Sequence, residues 1–107
     1  MKMKIENATI LDYKLMIHRG CLVFDLVCQM AIGVQSFGGI NLYNKYSKDV
    51  AGEYIRKVLD VVGVENACDL ISKNIRVFIV DGEIIAIANI LKEDWFDLEK
   101  FVSEKEK

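Results

Sequence analysis

His18 is the only histidine in the 107-residue chain, and it stands beside Arg19. A general base needs an orienting carboxylate and a nucleophile within hydrogen-bond reach. The sequence offers Asp12 and Asp25 for that role, but no spacing secures either. An exposed or capping histidine is therefore the simpler reading. Glu53, Asp60, Asp94 and Asp97 add carboxylates, of which the Asp94 and Asp97 pair reads as a helix start. No spacing matches the common hydrolase, kinase or metalloprotease patterns, so no catalytic residue is assigned.

The glycines and one arginine offer binding chemistry instead. Gly33, Gly38 and Gly39 form neither a dinucleotide fingerprint nor a phosphate loop, yet amides around Gly38 and Gly39 could hold an anion; a β-bulge or turn is the plainer alternative. Asn41, Tyr43 and Tyr46 follow, with hydrogen-bonding and aromatic groups for a ligand or for a strand end meeting solvent. Two readings fit Arg76. Its stem can lie along Ile87 with the head in water, or its guanidinium can receive an anion between Asn74 and Asn89 over Phe78. Trp95, the single tryptophan, suits a core anchor, an interface or a stacking surface. Cys21, Cys28 and Cys68 lack CxxC spacing, so three reduced, mostly buried thiols are expected rather than a metal site. No cofactor is implied.

The elements that must position these residues follow from periodicity. Lys4 to Leu15 alternate loosely, and from Gly20 a clearer strand sets Leu22, Phe24, Leu26, Cys28 and Met30 on one face, with Cys21 and Cys28 on opposite faces. These segments should pair antiparallel through a loop at His18, Arg19 and Gly20. Residues 32–34 and 40–43 read as a strand interrupted at Ser36-Phe37-Gly38-Gly39. Ala51, Tyr54, Ile55, Val58, Leu59 and Val62 then form a helical stripe, capped by Ser47 or Asp49 and ended by Gly63. A shorter helical turn fits Asn66 to Ile71, with Asn66 and Asp69 at capping-box spacing.

Asp81-Gly82 is a favoured two-residue hairpin turn. Simple alternation from it pairs Phe78 with Ile85 and Arg76 with Ile87. Ile75, Val77, Ile79, Ile84, Ala86 and Ala88 then face the helices, and Arg76, Phe78, Ile85 and Ile87 face away. A last helix carries Trp95, Phe96, Leu98, Phe101 and Val102. The expectation is one α+β domain over residues 1–103, with a frayed charged tail at 104–107. Its antiparallel sheet has about five strands in the order β-β-β-α-(α)-β-β-α, with helices packed on one face.

The far face around Phe78, Ile85, Ile87 and Trp95 then needs a cover. A second copy of the chain is the first choice, giving a homodimer. The terminal helix, the N-terminal strands, or a ligand or protein partner are the others. Fourteen Lys and Arg against sixteen Asp and Glu, without a basic stripe, argue against a nucleic-acid partner. There is no signal-peptide pattern and no uncharged stretch of membrane-spanning length, so a cytoplasmic protein without a membrane partner is expected.

Arg19-Gly20-Cys21-Leu22, Gln35-Ser36-Phe37-Gly38-Gly39, Ala51 through Val64, Asn74-Ile75-Arg76-Val77 and Asn89 through Phe96 resemble a group of small uncharacterised bacteriophage and prophage proteins. The Phe-Gly-Gly and Asp-Trp-Phe stretches are the most specific. Members of that group often carry Tyr where this chain has Ile40, and an aromatic near Cys68. The resemblance implies a phage accessory protein in the host cytoplasm and names no reaction. Capture of a host factor or a small anionic ligand, as by an anti-defence protein, is the preferred expectation. A small enzyme on a nucleotide-like metabolite, with His18, Glu53 or Asp25 converging on the glycines, and a structural phage component are the alternatives.

Overall fold

A computed structural model describes residues 2–38 and 48–105. Met3–His18 forms β1, Cys21–Met30 β2 and Gly33–Phe37 β3; helix α1 spans Lys48–Val62 and a 3-10 turn Ala67–Leu70; Asn74–Val80, Glu83–Asn89 and Trp95–Asp97 form β4, β5 and β6; helix α2 spans Leu98–Lys105. All neighbouring strands pair antiparallel, in the order β3-β2-β1-β4-β5-β6. The fold is α+β, with both helices against one face of the sheet. The readings placed on Gly39, on the strand at 40–43 with Asn41 and Tyr43, on Tyr46 and on the Ser47 cap lie outside the described residues, as does the side chain of Asp49.

The two long hairpins turn where the sequence demands it. Arg19 and Gly20 have φ of 52° and 79°, and Asp81 and Gly82 have 49° and 86°, so both are two-residue turns with positive φ at both centres. β2 buries Phe24, Leu26, Cys28 and Met30 on one face, as its alternation requires. Helix α1 buries Val50, Tyr54, Val58, Val61 and Val62 against that face. Gly63, with φ of 91°, then donates its amide to Leu59 O at 2.9 Å and ends the helix.

Aromatic packing shows how strongly the sheet curls. Phe37 belongs to one edge strand and Phe96 to the other, yet their ring centroids are 6.0 Å apart. Tyr54 joins them from the helix, with ring centroids 6.1 Å from Phe24, 5.7 Å from Phe96 and 5.9 Å from Phe101. The concave face therefore closes around α1, and the convex face is left outward. Asp97 starts α2 by accepting the Lys100 amide at 3.0 Å, and Lys105 pairs with Glu53 of α1. That helix includes Glu104 and Lys105, two residues past the point where the tail is expected to fray.

Three expectations need correction. First, the β4–β5 ladder slips at Ile85: Ile79 faces Ile84, but Phe78 faces Ala86, Val77 faces Ile87 and Arg76 faces Ala88. The extra residue is a β-bulge, and beyond it every side chain changes face. Ile87 is thus a fully buried member of the helix-facing core, while Ala86 and Ala88 lie on the convex side. Second, Trp95–Asp97 continues the sheet instead of opening the last helix, so there are six strands and Asp97 alone caps α2. Third, Cys68 is exposed and Cys21 half-buried, leaving only Cys28 in the core. In the 3-10 turn, Asn66 forms no side-chain cap; its carbonyl accepts the Asp69 amide.

Candidate functional site

The convex face is a grid of rows set by register. Met3 lies beside Val80; Ile5 beside Phe78 and then Ala86; Asn7 beside Arg76, Ala88 and Trp95; Thr9 beside Asn74. Thr9 Oγ1 donates to Asn74 Oδ1 at 2.9 Å, closing the polar end of the grid.

Ala88 sits between Arg76 and Trp95 in its row, and its single methyl leaves room for the two large groups to meet above it. The Arg76 guanidinium carbon is 5.3 Å from the Trp95 ring centroid. Arg76 Nε donates to Asn89 O at 3.1 Å, Nη2 to Lys92 O at 2.7 Å and Nη1 to Glu93 Oε1 at 2.5 Å. Trp95 Nε1 donates to the other Glu93 oxygen at 3.3 Å, and the Phe78 ring meets Trp95 edge-on with centroids 6.5 Å apart. These hydrogen bonds, with the Arg76 charge, hold the Glu93 carboxyl below its usual range. Nε holds the last residue of β5, and both terminal guanidinium nitrogens point to groups of the loop between β5 and β6. Arg76 is a clasp for that loop, and its stem shares a face with Ala88 rather than Ile87.

The Asn89 side chain does not join this group, although its carbonyl does. It pairs with Ile75 on the helix-facing side, where its amide donates to Val61 O at 3.2 Å and Val62 O at 3.4 Å. Those are last-turn carbonyls of α1, which need partners from outside the helix. Its Oδ1 accepts from Leu91 N at 2.8 Å and Lys92 N at 3.2 Å. The side chain ties α1 to the same loop that Arg76 holds from the other face.

Gly38 lies at the end of β3 with φ of 119°, where an added Cβ would come within 2.6 Å of Tyr54 Oη and 2.7 Å of Phe24 O. Tyr54 Oη donates to that same carbonyl at 3.1 Å. Burial, and secondarily the Asp25 carboxylate, push the Tyr54 hydroxyl above its ordinary value. This glycine admits a close approach of chain to core. Of His18, Glu53 and Asp25, only Asp25 lies at Gly38: His18 is exposed at the tip of the β1–β2 hairpin, and Glu53 pairs with Lys105.

Gly38 and Ile85 also border an open groove of about 850 Å³ between β5 and α2. Glu83, Asp97 and Glu99 line it with a single Lys100, a charge balance that repels a small anion. Among the described residues, no group of three or more His, Cys, Asp or Glu side chains could hold a metal ion. Comparison with family models, curated proteins and solved structures finds no match to this chain.

Exposed Asn7 and Asn74 make the far end of the convex face polar, and the Met3 end carries open apolar side chains. Met3 is 60% exposed and Ile5 56%, beside half-buried Phe78 and Val80. The alternation of β1 hid this patch, since its first strand residues read as a loose amphipathic pattern without a clear outer face. No helix of the described residues is long and apolar enough to cross a membrane.

Proposed function

We propose that the chain is a small accessory binding protein that captures a protein partner on the convex face of its sheet, around Met3, Ile5, Phe78 and Val80. One observation carries this reading: two large apolar side chains more than half exposed stand next to two half-buried ones in adjacent rows of the sheet. Such a surface suits an apolar counterpart. The engagement of every Arg76 nitrogen within the chain, together with the acidic rim of the groove between β5 and α2, favours a protein partner over a small anion. The resemblance to phage and prophage accessory proteins supports a host protein as that partner.

The test compares Ile5→Lys with the unaltered protein as bait in bacterial extract, followed by titration of the purified captured protein. The reading expects a fold unchanged by circular dichroism and affinity at least tenfold weaker for Ile5→Lys. A thermal midpoint that rises with nucleotides, cyclic nucleotides or NAD derivatives would instead identify a small-ligand protein.

A further inference from the structure

β1 has two halves with different neighbours. Met3 to Thr9 pairs with β4, and Thr9 to His18 pairs with β2 on the opposite edge. The ladder to β4 ends where Ile10 exchanges backbone hydrogen bonds with Lys73 and Ser72. At Leu11 a register shift against β2 bends the strand. Among the described residues, no strand pairs with the edge of Asp12 to His18 that faces away from β2. Open edges of this length are templates for another strand. This one also carries large exposed apolar residues: Leu15 at 50%, Met16 at 43% and Ile17 at 64%. Leu15 and Ile17 lie in register with Phe24 and Leu22, on the face that α1 covers elsewhere.

We infer that this edge joins a second copy of the chain, β1 to β1, antiparallel about a two-fold axis through Leu15. The sequence of the edge selects that register. With Leu15 opposite Leu15, Tyr13 meets Ile17, Lys14 meets Met16, and Asp12 meets His18, each pair occurring twice. Aromatic with β-branched and acidic with basic are favourable cross-strand pairs. A two-fold axis on Lys14 sets Lys14 against Lys14, and one on Met16 sets Lys14 against His18 and Tyr13 against Arg19. Of these three registers, the one on Leu15 alone sets an acidic side chain against a basic one while it stacks apolar residues on the side where Leu15 and Ile17 lack cover. The joined sheets form one continuous surface of two copies. The inference is independent of the convex-face reading, because it uses the strand edge and not Met3 or Ile5.

The test is disulfide trapping in a Cys21→Ser, Cys68→Ser background, which removes the accessible thiols. Cα atoms of facing residues in an antiparallel pair lie about 4.5–5.5 Å apart, within the roughly 4.4–6.8 Å span of a disulfide. Leu15→Cys should oxidise to a covalent dimer, and so should an equal mixture of Tyr13→Cys and Ile17→Cys chains, whereas Met16→Cys alone should not. In light scattering, His18→Asp should weaken the dimer roughly tenfold by placing like charges opposite one another, and adding Asp12→His should restore it. A strict monomer at every concentration overturns the inference. So does a dimer that Ile5→Lys dissociates but that Leu15→Cys does not trap.

Discussion

Replacing Gly38 by alanine tests the core geometry at its tightest point. The backbone there has φ of 119°, a conformation that L side chains rarely adopt, at a cost of about 1–3 kcal/mol. The new Cβ also meets Tyr54 Oη at 2.6 Å, Phe24 O at 2.7 Å and Asp25 Oδ1 at 3.1 Å. Neither of the closest atoms yields easily: one is β2 backbone, and the other belongs to a fully buried ring packed against Phe24, Phe96 and Phe101. Overpacking of this kind adds about 1–3 kcal/mol. Gly38→Ala should therefore lose about 2–6 kcal/mol of stability, a large share of the roughly 5–15 kcal/mol a domain possesses. Urea denaturation measures it, with Tyr54→Phe as the partner in a double-mutant cycle. Removing the hydroxyl removes the shortest contact, so the double variant should be more stable than the sum of the two single losses predicts, by about 1 kcal/mol. A Gly38→Ala variant within about 1 kcal/mol of the parent, or strict additivity with Tyr54→Phe, would refute the close approach.

Two further outcomes follow from the corrected register and from the buried thiol. Ile87→Ala should cost about 2–5 kcal/mol in chemical denaturation, because Ile87 is fully buried in the core, while Ile85→Ala at the bulge should cost less than about 1 kcal/mol; equal losses would restore simple alternation. Burial pushes the Cys28 thiol up to about 12 from 9.0, so its contribution is fully present below about pH 9 and is lost as pH rises toward 12. The loss is on the order of 4 kcal/mol at the end of that window. Stability of Cys28→Ala, followed from pH 8 to 11, should decline less steeply than that of the parent protein, and parallel slopes would contradict the assignment.

Much of the fold was legible because local chemistry left one solution. Asp81-Gly82 is among the few dipeptides that accept positive φ twice, Gly20 marks the other hairpin turn, and the apolar stripe of α1 stops at a glycine that ends the helix. The β4–β5 register was not legible. Ile84 through Ala88 are all apolar, so a one-residue slip exposes nothing polar to the core and the pattern cannot penalise it. Trp95 to Asp97 misled for a related reason: Trp95, Leu98 and Val102 are spaced for one face of a helix, yet the first lies in a strand and the other two in α2. At the candidate site, the sequence singled out Arg76 and Phe78 together and Trp95 apart from them, and the meeting of Arg76 with Trp95 was not legible. Their mutual closure depends on Glu93, seventeen residues from Arg76, which no local spacing links to it. The exposed pair Met3 and Ile5 emerged only once β1 was seen to lie beside β4.

The claim that partners bind on the convex face is tested most directly by titrating one captured, purified protein against three variants of this chain. Ile5→Lys should bind at least tenfold more weakly than the parent. His18→Asp, at the distant hairpin tip, and Arg76→Lys, which leaves the patch apolar, should bind within about twofold. Equal affinity for Ile5→Lys and the parent would contradict the account.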